Sequence, residues 1–225
     1  MSKKRTDDHL KNQKRKPEKG RMLELAVDTL DEDGYGVATH EGIRIRVVGA
    51  LPGEQVRARV TFSGQRDIFA ETKKILRHSP ERLAQVLCPE AESCNGCPLI
   101  QMKYKAQLAW KHSLVEKAVR RYPSLRKTPI LPVAASKKPL AYRTTAKLVI
   151  SGRFAEPKIG IYQRNTHQVI DIGDCPLHHP LINRIVAAAR EGIRKGKVPV
   201  YSPTTRNGIM QIGRASCRER VFRTV

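Results

Sequence analysis

The sequence predicts an α+β protein, a small β-barrel followed by an α+β domain stapled by metal-binding thiolates. Three observations carry this. Between Met22 and Leu76 apolar residues recur at every second position, and turn residues separate the runs. Four cysteines, Cys88, Cys94, Cys97 and Cys175, read C-x5-C-x2-C with one remote partner. Beyond residue 100 two apolar stripes have helical spacing, with short alternating runs between them.

Residues 1–20, MSKKRTDDHLKNQKRKPEKG, hold almost no apolar side chain and cannot bury enough surface to fold. A disordered basic tail is expected there, either a loose RNA-grasping arm or a solvated extension. In the barrel segment Leu23, Leu25 and Val27 alternate with polar neighbours. Ile43, Ile45 and Val47 alternate with Arg44 and Arg46, and Val56, Ala58, Val60 and Phe62 with Arg57 and Arg59. Ile68 and Ala70 begin a further strand. Alternation sends one set inward and the other outward. Phe62 is therefore expected inside, and Arg44, Arg46, Arg57 and Arg59 outside, as candidate RNA contacts. Asp33-Gly34 and Leu51-Pro52-Gly53-Glu54 supply the turns.

After the cysteine loop a helix is expected over about 100–121, with Tyr104, Leu108, Val115 and Val119 on one face and Tyr122-Pro123 ending it. Trp110 reads as packing rather than a stacking platform. Strands are expected over 146–150, 158–162 and 167–172. Pro180 then starts a helix with an apolar stripe of Leu181, Ile182, Ile185, Val186, Ala189 and Ile193, and Gly196 stands at its C-terminal cap position. His178 and His179 read as neighbours of Cys175 or as helix caps rather than as ligands. Arg143, Lys147 and Arg164 are further candidate phosphate contacts.

Charge narrows the partners. Forty-three Lys and Arg against 21 Asp and Glu give a formal net charge of +22. Such an excess attracts polyanions, because cationic side chains release the counterions condensed on nucleic acid. An anionic membrane surface is the weaker alternative, and no apolar run reaches the ~20 residues that span a bilayer. No secretory signal is visible at the N-terminus, and Asp7 and Asp8 argue against a transit peptide. Five cysteines, unevenly spaced, do not make a disulfide scaffold. A cytoplasmic, reducing location with metal-bound thiolates is expected, with no membrane association and a monomeric state. No Ser-His-Asp set and no phosphate-cradling Gly loop are present.

Thiolates take soft metals. Structural zinc usually uses two tight cysteine pairs, and here there is one, Cys94 and Cys97 around Asn95-Gly96. Three near cysteines and a distant fourth suit a cubane, whose ligands each hold one iron. Spacing alone leaves an iron–sulfur cluster, zinc and unbound structural thiols open.

These residues resemble a known family. Cys88-x5-Cys94-Asn95-Gly96-Cys97, followed by Gln101, Tyr104, Gln107, Leu108 and Lys111, is similar to bacterial-type RNA uracil-5-methyltransferases. Asp33-Gly34-Tyr35-Gly36-Val37 and Gly49-Ala50-Leu51-Pro52-Gly53-Glu54 resemble that family's TRAM domain, a five-stranded OB-fold RNA binder. Tyr142-Arg143-Thr144, Gly160-Ile161-Tyr162, His167 and Val169-Ile170-Asp171 through Cys175 resemble its central domain. The resemblance covers about 22–211. It implies a 4Fe–4S cluster on Cys88, Cys94, Cys97 and Cys175, and an RNA substrate, 23S rRNA before tRNA.

The departure from the family is large. Its members continue into a Rossmann-like methyltransferase domain with a cofactor loop, a nucleophilic cysteine and a carboxylate base. None of these is recognisable here, so no catalytic and no S-adenosylmethionine-binding residue is assigned; that cofactor is expected of the full-length enzyme only. The expected division is a tail over 1–20, the TRAM barrel over 21–79, an incomplete central domain over 80–211, and a non-native tail over 212–225. The last rests on Ile212–Val221, which back-translates into a sequencing adapter, so Cys217 is not a candidate nucleophile. Two rivals stand beside this reading: a stand-alone RNA-binding or ribosome-associated protein, and a zinc-stapled nucleic-acid binder.

Overall fold

The computed structural model describes residues 16–94, 96–163 and 166–216. The chain divides into two discontinuous units, one of Met1–Ala84 with Gln101–Val133, the other of Gln85–Ile100 with Ala134–Val225.

In the first unit five strands close into a barrel: β1 (Met22–Leu30), β2 (Gly36–His40), β3 (Ile43–Val48), β4 (Gln55–Ser63) and β5 (Ile68–Arg77), in the order β1-β2-β3-β5-β4. β4 returns to β1, and β3 and β5 are parallel while the other pairs are antiparallel. Closure leaves no strand edge unpaired, which is the gain of a barrel over an open sheet. The interior is filled from the alternating positions: Leu23, Leu25, Val27, Ala38, Ile45, Val47, Val56, Ala58, Val60, Ile68 and Ala70 are all buried.

The alternation fails at one expected place. Val60 faces Ala70 across the ladder, but Phe62 faces Phe69, so β4 carries a bulge between them. An extra residue in one strand reverses the side-chain sense beyond it. Phe62, expected inside, is 50% exposed.

Two buried carboxylates tie the loops to the barrel. The Glu54 carboxylate accepts the Leu51 N–H at 2.8 Å and two bonds from Arg82, Nε at 2.6 Å and Nη2 at 2.9 Å. It also accepts the Ser79 N–H at 3.3 Å. The turn it closes needs Gly53, whose φ of +83° is left-handed. Asp31 accepts the Asp33 and Tyr35 N–H groups, fixing the turn before β2, and takes Arg46 Nε at 2.6 Å.

Helix α1 (Tyr104–Arg120) belongs to this unit. None of its residues is fully buried: on the expected face Tyr104, Leu108 and Val119 are partly covered and Val115 is exposed. The helix ends before a short 3-10 turn at Pro123–Leu125.

The second unit is a four-stranded sheet with one helix on it. β6 (Thr145–Arg153), β7 (Glu156–Tyr162), β8 (Val169–Asp171) and β9 (Ile212–Ser216) lie in the order β8-β7-β6-β9, all antiparallel. Ala146, Leu148, Ile150 and Ile159 meet Ile182, Val186 and Ile193 of α2 (Pro180–Lys195) in the core. The stripe expected along α2 is wider than the face it buries: Leu181 and Ile185 are 42% and 46% exposed. Gly196 keeps a helical φ of −77°, and the left-handed position falls on Lys197, φ +48°. Arg190 of α2 grips Asp171 through both carboxylate oxygens at 2.7 Å and the Pro157 carbonyl at 2.9 Å, bracing the β7–β8 end of the sheet.

Candidate functional site

Gln85–Ile100 forms no helix or strand among its described residues and is built from turns. Its backbone bonds are local: Ala91 N–H to Cys88 O, Cys94 N–H to Glu90 O and Ile100 N–H to Cys97 O. The sulfur of Cys94 accepts the Gly96 N–H at 3.4 Å. A Cβ added at Gly96 would stand in van der Waals contact with that sulfur, at 3.4 Å.

Two side chains that sequence reading did not place in this role hold the loop's surroundings. Arg143 precedes β6, and its Nη2 donates to the Gly96 carbonyl at 3.0 Å. Its own backbone pairs with the segment after Cys175: Arg143 N–H to Leu177 O and His179 N–H to Arg143 O, both 2.8 Å. Arg143, expected as a phosphate contact, thus has its guanidinium engaged at the cysteine loop. Asn183, one turn into α2, clamps the other side. Its amide donates to the Cys175 carbonyl at 3.0 Å and to Asp174, and its oxygen takes the Cys175 N–H at 3.4 Å and meets His178 Nδ1 at 3.1 Å. His179 caps α2 by accepting the Leu181 N–H at 3.3 Å.

The result is one cavity of about 400 Å³ lined by Cys88, Cys94, Cys97 and Cys175 together. Its walls are mostly apolar, from Leu87, Pro89, Ile100, Ile172, Pro176 and Leu177, with Glu90 and Asp174 among the polar residues. All four cysteines are half-buried and none is in a disulfide. Burial pushes the Cys97 thiol up to about 11, against the pull of Arg143, and burial also raises Cys88. Burial raises Cys175 too, but hydrogen bonds from the His178 ring and the Leu177 N–H carry it below its ordinary value. Among the described residues no three His, Cys, Asp or Glu side chains group tightly enough for a single metal ion. All four cysteines line the same cavity. One zinc at ~2.3 Å from each sulfur would need the sulfurs only about 3.8 Å apart, whereas ligands of a cubane sit on different irons.

The other expected contacts divide. Arg46 is committed to Asp31 and to Asp33 at 3.0 Å, and its guanidinium lies over the Phe69 and Tyr35 rings. Arg57 pairs with Glu24 at 2.7 Å on the exposed face of the barrel. Arg44, Arg59 and Lys147 are exposed. Arg164, Cys217, most of the 1–20 tail and 217–225 lie outside the described residues. Trp110 is half-buried, and its indole N–H has no acceptor among the described residues.

No protein-family model matches the chain. The chain is 53% identical over 193 residues to an uncharacterized RNA methyltransferase of Geobacter sulfurreducens, covering 86% of this chain and 39% of that protein. It is similar to part of an RNA methyltransferase. A second such protein, from Halalkalibacterium halodurans, is 32% identical over 86% of this chain and 42% of its own length. The chain therefore spans about two-fifths of the length of the curated relatives it matches. Among solved structures, the Pyrococcus abyssi tRNA (uracil-54, C5)-methyltransferase, in complex with S-adenosyl-L-homocysteine, shares the fold. Its TM-score is 0.61 at 22% identity, over 85% of this chain and 42% of that one.

Proposed function

We propose that the chain is the RNA-gripping, cluster-bearing portion of an S-adenosylmethionine-dependent RNA uracil-C5 methyltransferase acting on 23S rRNA, a monomeric cytoplasmic protein. The observation that carries this reading is the meeting of Cys88, Cys94, Cys97 and the remote Cys175 on one cavity, in a chain 53% identical to an RNA methyltransferase. The barrel is its TRAM domain and grips RNA through phosphates, with Arg44 and Arg59 as exposed cations. Methyl transfer and the S-adenosylmethionine site belong to the remaining length of the protein, and no residue of this chain is assigned to them.

The cavity fits a 4Fe–4S cluster. It offers four thiols, its walls are mostly apolar, and an amide N–H already points at the Cys94 sulfur. Such donors to sulfur are one of the levers by which proteins hold and tune these clusters. When bound, the cluster supplies four metal–sulfur bonds joining Cys88–Cys97 to Cys175, a structural cross-link. Around it Arg143 and Asn183 keep the two backbone segments in place.

Anaerobic purification tests the cluster. A broad absorption band near about 400 nm, with iron and acid-labile sulfide, is expected. One zinc per chain and no band would replace the cluster with the zinc reading. The substrate is tested on the whole gene product, by mass spectrometry of 5-methyluridine in 23S rRNA and in tRNA incubated with labelled methyl donor. Label in tRNA alone would overturn the ribosomal assignment, and label in neither would favour a non-catalytic RNA binder. The tail from 212 is proposed to be non-native, although 212–216 supply β9. Edge pairing there uses backbone groups, which a foreign segment also carries. Resequencing the locus across Gln211 tests it; a frame that continues as printed would sink the idea.

A further inference from the structure

The bulge in β4 places an aromatic side chain on the barrel surface where simple alternation would have buried it. Phe62 does not stand alone there. Its ring centroid is 6.3 Å from that of Phe69, which in turn meets Tyr35 edge-on at 6.2 Å. The Arg46 guanidinium lies 5.2 Å over Phe69 and 5.9 Å over Tyr35. The β-ladder generates this row: Arg46 faces Phe69 between β3 and β5, and Phe69 faces Phe62 between β5 and β4. Phe62 is also seated from below. A Cβ added at Gly64 would come within 2.7 Å of its ring, so glycine is what allows the ring to lie over the hairpin.

We propose that this row, with Phe62 at its open end, is a stacking platform for the bases of unpaired RNA. A half-exposed phenylalanine, re-aimed by a bulge and backed by two rings and a guanidinium, has little to gain from water. Bulges recur where a side chain must be turned toward a ligand. Stacking on aromatic faces tolerates any base and is the usual partner of a cationic groove in single-strand binding. The cations are at hand. Arg66 lies in the hairpin beside Phe62, Lys16 donates to the Gly64 and Gln65 carbonyls, and Arg44 and Arg59 are exposed on β3 and β4. Asp31 and Asp33 at the other end are ion-paired to Arg46, and the hairpin carries one exposed acid, Asp67, beside Arg66 and Lys16, so the base is placed at the Phe62 end. Arg46 accordingly serves as a stacked, fixed plane rather than as a phosphate contact. A protein partner is the competing occupant, and the net charge of +22 favours RNA.

This inference rests on the RNA-binding reading, and its test separates the two. The 225-residue chain is titrated, by fluorescence anisotropy, with a labelled oligouridine and with an abasic oligonucleotide of equal length and charge. Phe62→Ala, Phe62→Trp and Gly64→Ala are compared, each checked for an unchanged melting temperature. The expected result is tighter binding of oligouridine than of the abasic strand, a loss of about tenfold in Phe62→Ala for oligouridine only, and retention in Phe62→Trp. Gly64→Ala, which displaces the ring without deleting it, should fall between. Equal affinity for both strands, unaltered by Phe62→Ala, overturns the platform while leaving phosphate binding intact. Failure of the unmodified chain to bind either strand overturns the RNA-binding reading itself, and the platform with it.

Discussion

The barrel and the cysteine unit answer the same problem, how to hold loops that have no secondary structure, in opposite ways. In the barrel the loops are tied by buried carboxylates. Glu54 fastens its own turn and reaches Ser79 and Arg82, and Asp31 fastens the turn before β2 and reaches Arg46. Each is fully hydrogen-bonded, which is the condition for a buried charge to be tolerated. In the cysteine unit the described residues of the loop over 85–100 make local turn bonds and accept the Arg143 bond, and three of their thiols line one cavity with that of Cys175. The barrel loops are held by side chains of the chain itself; the proposed cluster would do the same for the cysteine loop by bridging its sulfurs.

The largest effect expected from that contrast follows loss of the bridge. Cys175→Ser should bring iron content to near zero and remove protection from hydrogen exchange around 88–97 and 141–179. The cost to that unit is of the order of structural metal binding, ~10 kcal/mol. Amides of β1 to β5 should exchange as before. Iron content and exchange both unchanged would show that Cys175 is not a ligand.

The reciprocal break is Glu54→Gln. It leaves Arg82 in place with its charge unpaired, and removing one partner of a buried pair costs about 3–5 kcal/mol. The barrel should lose that stability in urea titration while the absorption expected of the proposed cluster stays. The pH dependence has a definite sign. Burial pushes the Glu54 carboxyl up, but Arg82 and the Leu51 and Ser79 N–H groups outweigh it and hold it below the ordinary carboxylate value. A depressed carboxylate stabilises the fold above its unfolded value, about 4.3, and that stability is lost as pH falls through the lower folded value. The native barrel should therefore weaken on acidification through that range, and Glu54→Gln should flatten the profile. A variant with the same acid slope as the native chain would assign the slope to other carboxylates.

Smaller than either is the effect of Gly160→Ala. A Cβ there would fall 1.8 Å from the Ile170 carbonyl, a backbone atom of β8 that cannot rotate away. β8 is a three-residue edge strand leading toward Cys175, so it should yield, at about 1–3 kcal/mol for overpacking. A lower cluster occupancy is expected with an unchanged barrel. Full occupancy would mean that Asn183 alone positions Cys175.

Much of the contrast was legible in the residues. Alternation marked the inward faces of β1, β3 and β4 as far as Val60, and the helix from Pro180 announced itself by its stripe. What escaped was whatever depends on a single local insertion or on a partner distant in sequence. Phe62 continues the written alternation, and only the bulge beside it reverses its direction. Leu181 and Ile185 belong to the stripe by spacing, but the sheet is narrower than the stripe, and Ile182, Val186 and Ile193 fill it. Cys88 to Cys97 could be linked to Cys175 by resemblance, whereas Asn183 and Arg143, which brace that meeting, carry no spacing signal. Glu54 read as a turn residue, and its role as the hub for Ser79 and Arg82 is visible only when the chain has closed.

The smallest effect sharpens the comparison from outside. Arg57 and Glu24 face each other between β4 and β1, paired at 2.7 Å, with both side chains more than half exposed. In geometry this bond resembles the Arg82–Glu54 pair at 2.6 Å. Water decides the difference: an exposed pair gains little over two hydrated ions, and salt screens it further. Arg57→Ala should change barrel stability by no more than about half a kcal/mol, against several for Glu54→Gln. It should still weaken RNA binding if the outward face of β4 meets phosphate, with a shallower dependence of affinity on salt. An unaltered salt slope in Arg57→Ala, together with a reduced one in Arg59→Ala, would confine the phosphate path to the cations that the barrel does not already use in pairs.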